Sequence, residues 1–364
     1  MLAMGAATKV LFFAEDPGAA NFIAPLPASL AGRGIGSAVI AAGAAIGILR
    51  QRGIHHSVLG NGVSDASILT RTKPRVLIAG TASNPGTRGL TLITAARRAG
   101  VPTIGVVDAA MNAGMRFRGY GNEPMAHAPD WVLVPDEWTR SEYLRLGLAS
   151  DRVITAGNPH YDFVRAFAET WDRATRRAFR RRFFAKAPPR ARVWVFVSEG
   201  ADRRSELVLE KVLAALDSVK QERRPYFVLR IHPRDRTKDY AAYRRKVDMI
   251  SQTEPTLELV YAADVVVGLT SMLLTEAQIL GRQVLPFVPR AEERPWLPGV
   301  RLGILNAAAS SSQIRQRIHS VVARLDSGRR RPGRLAALEF GATGRVASFV
   351  ENVLGSVPAR TAIS

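Results

Sequence analysis

Short runs rich in β-branched and aromatic residues alternate with segments of helical period from one end of the chain to the other, and nothing else in the sequence restricts the fold as strongly. Such an order buries a parallel sheet beneath helices on both faces. It predicts strands at Lys9–Ala14, Ser37–Ala42, Arg75–Gly80, Thr103–Asp108, Trp131–Pro135 and Arg152–Ala156. A second set is predicted at Arg192–Ser198, Tyr226–Ile231, Asp264–Gly268 and Gln283–Pro289. Between the sets lies an arginine-rich stretch, predicted as one helix from about Tyr161 to Ala185, followed by Pro188 and Pro189, where a helix cannot continue. The chain is therefore expected to be an α/β protein of two doubly wound Rossmann-like domains facing a central cleft, residues 1–187 and 188–364. A length of 364 residues with 47% hydrophobic and 23% charged content suits two such cores and excludes a disordered or fibrous chain.

The absence of cysteine removes disulfide frameworks, thiolate nucleophiles and sulfur-ligated zinc. Six histidines are scattered without an HExxH pair, so no metal and no cofactor is called for. The net charge of +20 points to an anionic partner. Up to Arg165 there are 16 basic and 11 acidic residues; from Ala166 on there are 35 and 20, so the excess lies in the second half. Much of it falls in Arg165–Arg192, where Phe167, Trp171, Phe179, Phe183 and Phe184 stand among the arginines. This segment reads either as a solvated helical face or as a surface that touches acidic phospholipid headgroups, with the aromatic side chains as apolar anchors. No module that reads bases accompanies it, so nucleic acid is not expected. The first twenty residues carry no export pattern, and the uncharged stretch Gly34–Leu49 is too short to cross a bilayer. A cytoplasmic protein, peripheral at the inner face of a membrane, is the expectation.

In doubly wound sheets, ligands bind beyond the carboxyl ends of the strands, so the residues just past each strand carry the chemistry. After the first strand come Glu15 and Asp16, then small residues and Asn21. Asp16 reads as the cap of a helix or as a general base that takes a proton from an attacking hydroxyl. The strand that ends in Asp108 opens a long glycine-rich loop with Asn112 and Arg116, a candidate acceptor site. After the strand Asp264–Gly268, the residues Gly268, Thr270 and Ser271 lead into a helix that carries Glu276. Main-chain N–H groups and two hydroxyls there suit a diphosphate, and Glu276 is placed for ribose hydroxyls; a helix merely capped by threonine is the alternative. His232, fixed before Pro233 at a strand end and flanked by Arg230 and Arg234, is placed to donate to a phosphate oxygen, although a lone histidine is more often structural.

Three short motifs carry a resemblance. Gly157-Asn158-Pro159 followed by Asp162 resembles the G-N-P-x-x-D turn that ends the N-terminal domain in GT-B-fold glycosyltransferases and their relatives. Arg230-Ile231-His232-Pro233 resembles the K/R-x-H-P signature of capsule and teichoic-acid type transferases, and GLTSxxxxE at Gly268–Glu276 resembles the nucleotide half of the donor site in GT-B-fold enzymes. The chain departs from teichoic-acid polymerases in having a neutral GLTS in place of an acidic D-Y-S-S motif. The resemblance, to the GT-B and UDP-N-acetylglucosamine 2-epimerase-like superfamily, covers most of the chain in element order. It implies a nucleotide-sugar donor in the C-terminal domain, held by Thr270, Ser271 and Glu276, with Ser198 and Glu199 in a further phosphate-facing loop. The acceptor, a glycan or a lipid-linked glycan, is implied for the N-terminal domain, with Asn158 facing the cleft. The expected activity is metal-independent glycosyl transfer with Asp16 or Asp108 as base and His232 beside the leaving group. A 2-epimerase-like enzyme and a non-catalytic binding protein of the same fold are the alternatives.

Overall fold

The structure is a computed structural model that describes residues 9–200, 203–233, 235–326 and 338–356. The chain forms two compact units: the first comprises residues up to Phe163 together with those from Glu339 on, and the second runs from Val164 to Leu338.

The first unit is built on seven parallel strands: β1 (Val10–Ala14), β2 (Ser37–Ala41), β3 (Ser57–Val58), β4 (Val76–Gly80), β5 (Thr103–Val106), β6 (Trp131–Val134) and β7 (Val153–Thr155). Their spatial order is β3-β2-β1-β4-β5-β6-β7, so the winding reverses between β1 and β4. Every residue of β1 and β4 is buried, as expected of central strands covered on both faces. The helix Ala342–Ser356 returns to this sheet: Val346, Val350 and Leu354 join Phe12, Phe22 and Ile78 in one apolar cluster. Asp162 fixes its start by accepting from the main-chain N–H groups of Gly341 (2.6 Å) and Thr343 (2.7 Å).

The second unit holds five parallel strands: β8 (Val193–Val197), β9 (Tyr226–Arg230), β10 (Met249–Ser251), β11 (Val265–Gly268) and β12 (Gln283–Pro286). Their order is β10-β9-β8-β11-β12, with the reversal between β8 and β11. The helices Arg203–Asp217 and Ser311–Asp326 pack Val208, Leu209, Val212, Ile314 and Ile318 against Trp194, Phe196 and Phe227.

Both doubly wound sheets are those expected, and the strands β3 and β10 add to the predicted set. They are edge strands of two and three residues, too short to leave a run of apolar residues. The expected single helix over 161–185 is two helices, Pro159–Glu169 and Arg173–Phe183, because Asp172 accepts from the Thr175 N–H at 2.7 Å and starts a new one. The units divide at Phe163 and Val164 rather than near residue 187. The physical reason is Asp264: it receives Arg176 at 2.7 Å and Arg180 at 3.0 Å, which fastens the basic helix to the second sheet ahead of the two prolines. The aromatic residues expected as membrane anchors are packed instead. Trp171 lies 3.9 Å from Phe167, 5.2 Å from Phe179 and 4.8 Å from Tyr261, centroid to centroid, while Phe183 and Phe184 are buried. Among the described residues no helix is long and apolar enough to cross a membrane.

Candidate functional site

The reversal between β1 and β4 puts the carboxyl ends of two adjacent strands at the place where doubly wound sheets open to ligands. Asp16 follows β1 and caps the helix Pro17–Ile23, its Oδ1 accepting from the Ala19 N–H at 3.0 Å. That helix sits tight on the sheet because Gly80 has no side chain: a Cβ there would lie 2.2 Å from the Cβ of Ala19. A Cβ on Gly18 would lie 2.1 Å from Oδ2 of Asp108, so that carboxylate, two residues past β5, rests against the first turn of the helix. The Glu15 carboxylate is spent elsewhere, accepting from the Thr87 hydroxyl at 2.6 Å and the Arg88 N–H at 2.8 Å.

Arg116 is 5% exposed, and its guanidinium is fully engaged. It donates to Asp108 Oδ1 at 3.0 Å, to the carbonyls of Thr81 (2.7 Å) and Ala109 (3.0 Å), and more weakly to that of Met111 (3.3 Å). Burial opposes its charge, and the carboxylate of Asp108 more than compensates. Burial, and then the negative charge of Asp108, push the Asp16 carboxyl up to about 6, against the opposing pull of the Ala19 N–H and Arg116. Asn158 braces the same strand ends, donating to the main-chain oxygen of Asp108 and accepting from the His160 N–H, each at 3.0 Å. Tyr143, which the sequence reading passed over, is wholly buried behind this cluster with its ring against Phe117. Its hydroxyl has no hydrogen-bond partner among the described residues, and burial raises its pKa. The signal for its burial is its spacing of four from the buried Thr139 on the helix Glu137–Arg145. Asn21 is half-buried on the helix Pro17–Ile23, and Asn112, in the left-handed conformation with φ 57°, shapes the loop; among the described residues neither is hydrogen-bonded by its side chain to this cluster.

The second reversal gathers another group. Ser198 and Glu199 follow β8, and Gly268, Thr270 and Ser271 lie at the end of β11, paired in register with β8. Thr270 is wholly buried; its main-chain N–H and its hydroxyl (2.9 Å) both donate to Glu199. Arg204 bridges Glu199 (2.8 Å) and the buried Glu293 (2.9 Å), and Arg290 adds a contact to Glu293 at 3.3 Å. Burial raises the Glu199 carboxyl despite Arg204 and Thr270. Ser271 caps the helix Met272–Ile279 by accepting from the Leu273 N–H at 3.3 Å. The Ser198 hydroxyl lies 2.8 Å from that of Tyr240, which donates to Asp235 at 2.7 Å. Glu276, 4% exposed, is on the buried side of the helix. Arg230 is turned toward β10, donating to Ser251 and Thr256 at 3.0 Å each and facing Glu254 at 3.6 Å; burial lowers its pKa against the pull of Glu254. His232 is half-buried in the loop after β9, and Arg234 lies outside the described residues.

Asp16, Asp108, Arg116 and Asn158 thus form one group, and Ser198, Glu199, Gly268, Thr270 and Ser271 another. In the second group both donors of Thr270, its main-chain N–H and its hydroxyl, are held by the Glu199 carboxylate, which stands where an anion would accept from them.

No protein-family model matches the chain. No curated protein matches its sequence. Solved structures do match its fold. The UDP-GlcNAc 2-epimerase from Neisseria meningitidis bound to UDP-GlcNAc is 17% identical over 96% of this chain and 100% of that one, with a TM-score of 0.71. A glycosyltransferase from Rickettsia africae is 10% identical over 97% and 94%, at 0.60. HepE from Anabaena in complex with UDP is 13% identical over 96% and 98%, at 0.58. The chain therefore has the two-unit Rossmann-like fold that UDP-GlcNAc 2-epimerases and GT-B glycosyltransferases share.

Proposed function

We propose that this protein is a nucleotide-sugar enzyme that transfers the sugar to a hydroxyl of a surface-polysaccharide or lipid-linked glycan acceptor. The observation that carries this reading is Asp16, a carboxyl at the reversal of the first sheet whose pKa near 6 suits a general base at neutral pH. Asp16 takes the proton of the acceptor hydroxyl as its oxygen bonds to the anomeric carbon. Asp108, locked by Arg116, holds the base in place and keeps its pKa high. In the second unit Thr270, Ser271 and the first N–H groups of the helix Met272–Ile279 receive the diphosphate, and Glu276 receives the ribose. The bond between the anomeric carbon and the phosphate oxygen breaks, and His232 with Ser198 offsets the charge that grows on the departing nucleotide.

A full-length likeness in fold to the Neisseria epimerase favours a second reading, in which the same base acts on the sugar of the donor itself. Incubation with UDP-GlcNAc alone separates the two: an epimerase changes the sugar without an acceptor, and a transferase releases UDP only when an acceptor is present. Binding is tested first. A nucleotide at 100 times its Kd stabilises the fold by about 2.7 kcal/mol, a shift that thermal melting detects. Glu276→Ala is expected to weaken UDP binding by about 1.5–3 kcal/mol in calorimetry while the protein stays folded. Absence of any shift with UDP, UDP-GlcNAc or other nucleotide sugars rejects both readings.

A further inference from the structure

The helix Arg173–Phe183 contains six arginines and no acidic residue, and the reaction proposed above uses none of them. Five of its arginines fall into two sets. Arg176 and Arg180 face inward, where they hold Asp264 and cap the end of the helix Thr256–Ala262 through the carbonyls of Tyr261, Ala262 and Ala263. Arg173, Arg177 and Arg181, spaced four apart, form one exposed stripe; none of the three has an ion pair or hydrogen bond among the described residues. Arg182, Lys186 and Arg190 are exposed nearby. An ordinary solvated helix mixes signs at this spacing, because like charges four residues apart repel one another. Here the repulsion is left uncompensated on the outer face, while Asp172 and Asp264 hold the helix from its cap and its inner face.

We propose that this stripe docks the second unit on a membrane surface rich in anionic headgroups. The shape fits a flat anionic layer: the three charges lie along about 12 Å of a single helix at 1.5 Å per residue. Single-stranded nucleic acid is bound through aromatic side chains on which bases stack, and here Trp171, Phe179 and Phe183 are packed against one another and Tyr261. With those rings packed, none of the three inserts into the acyl layer. Docking is therefore electrostatic, reversible and sensitive to salt.

Co-sedimentation with vesicles tests this directly on the full chain. The wild type is expected to pellet with phosphatidylcholine vesicles that contain phosphatidylglycerol and to stay in solution with phosphatidylcholine alone. Near 1 M salt, where the Debye length falls to about 3 Å, pelleting is lost. Each basic residue at an anionic surface contributes on the order of fivefold in affinity, so the triple variant Arg173→Gln/Arg177→Gln/Arg181→Gln binds roughly 100-fold more weakly with its melting temperature unchanged or raised. The triple variant Arg50→Gln/Arg71→Gln/Arg98→Gln removes the same charge from exposed positions in the first unit and is expected to bind within about twofold of wild type. The proposal is overturned if both triples lose affinity equally, since net charge then explains the attraction. It is also overturned if the helix triple binds like wild type, if neutral vesicles pellet the protein as well, or if duplex DNA binds the stripe more tightly than the vesicles do.

Discussion

Asp16 and Asp108 are two carboxyls close enough to interact, and Arg116 pairs directly with Asp108. By pairing with Asp108 it keeps that charge in place, and the fixed charge in turn raises Asp16. Activity is therefore expected to rise with pH through about 6, as Asp16 loses its proton. Asp16→Asn keeps the cap on the Ala19 N–H, so the variant should fold but lose turnover by about 10²–10⁴ along with that limb of the profile. A profile that keeps its limb in the variant would assign the titration to another group. Gly18→Ala pushes a methyl into Asp108 and is expected to lower activity more than stability, as initial rates and melting curves would reveal. In the second unit, Glu199→Gln leaves a neutral acceptor for Thr270 where a charged one stood, so UDP should bind about tenfold more tightly while uridine binds as before. Weaker UDP binding in that variant would make Glu199 a partner of the ligand rather than its competitor. Strand-end position is what nominates Asp16, Asp108 and Thr270 in the sequence. It was not enough for Gly18, Glu293 or Tyr143, whose roles arise from contacts with distant segments.

The helix Arg173–Phe183 shows how an element can be read correctly in kind and wrongly in orientation. Its arginines and rings are plain in the sequence, but which of them face inward depends on Asp264, more than eighty residues away along the chain. Burial raises the Asp264 carboxyl, and Arg180 and Arg176 more than reverse this, holding it below the ordinary range. Its contribution is present at neutral pH and is lost as the pH falls through that lowered value. Asp264→Ala leaves two partly buried guanidinium groups unpaired and is expected to cost about 3 kcal/mol in chemical denaturation. The same reasoning explains the motif Gly157–Asp162. Gly157 takes φ 81°, a Cβ on it would meet Ala342 at 2.9 Å, and Asp162 fixes the start of the helix Ala342–Ser356, so the motif chiefly seats that helix on the first unit.

As a molecule, the chain interrupts its first unit to build its second. Residues from Glu339 on belong with those up to Phe163, so the first unit is complete only once the helix Ala342–Ser356 has been made. Truncation before Ala342 is expected to expose the apolar cluster around Phe12, Phe22 and Leu30, to lower the melting temperature of the first unit, and to speed hydrogen exchange in β1 and β2. The second unit is one continuous segment, and the UDP binding proposed for it should persist in that truncated protein. The periodic alternation of apolar runs and helical segments specified two parallel sheets, and the position of a residue after a strand is what nominates the candidate residues. Both follow from chemistry local to a few residues: side-chain period, β-branching, and caps that satisfy nearby N–H groups. The unit boundary, the seat of the last helix, the edge strands β3 and β10, and the pairing of Arg176 and Arg180 with Asp264 were decided only by the tertiary structure. Each depends on which distant segments share a core or a buried charge, and the free energy of such contacts belongs to the pair rather than to either sequence neighbourhood.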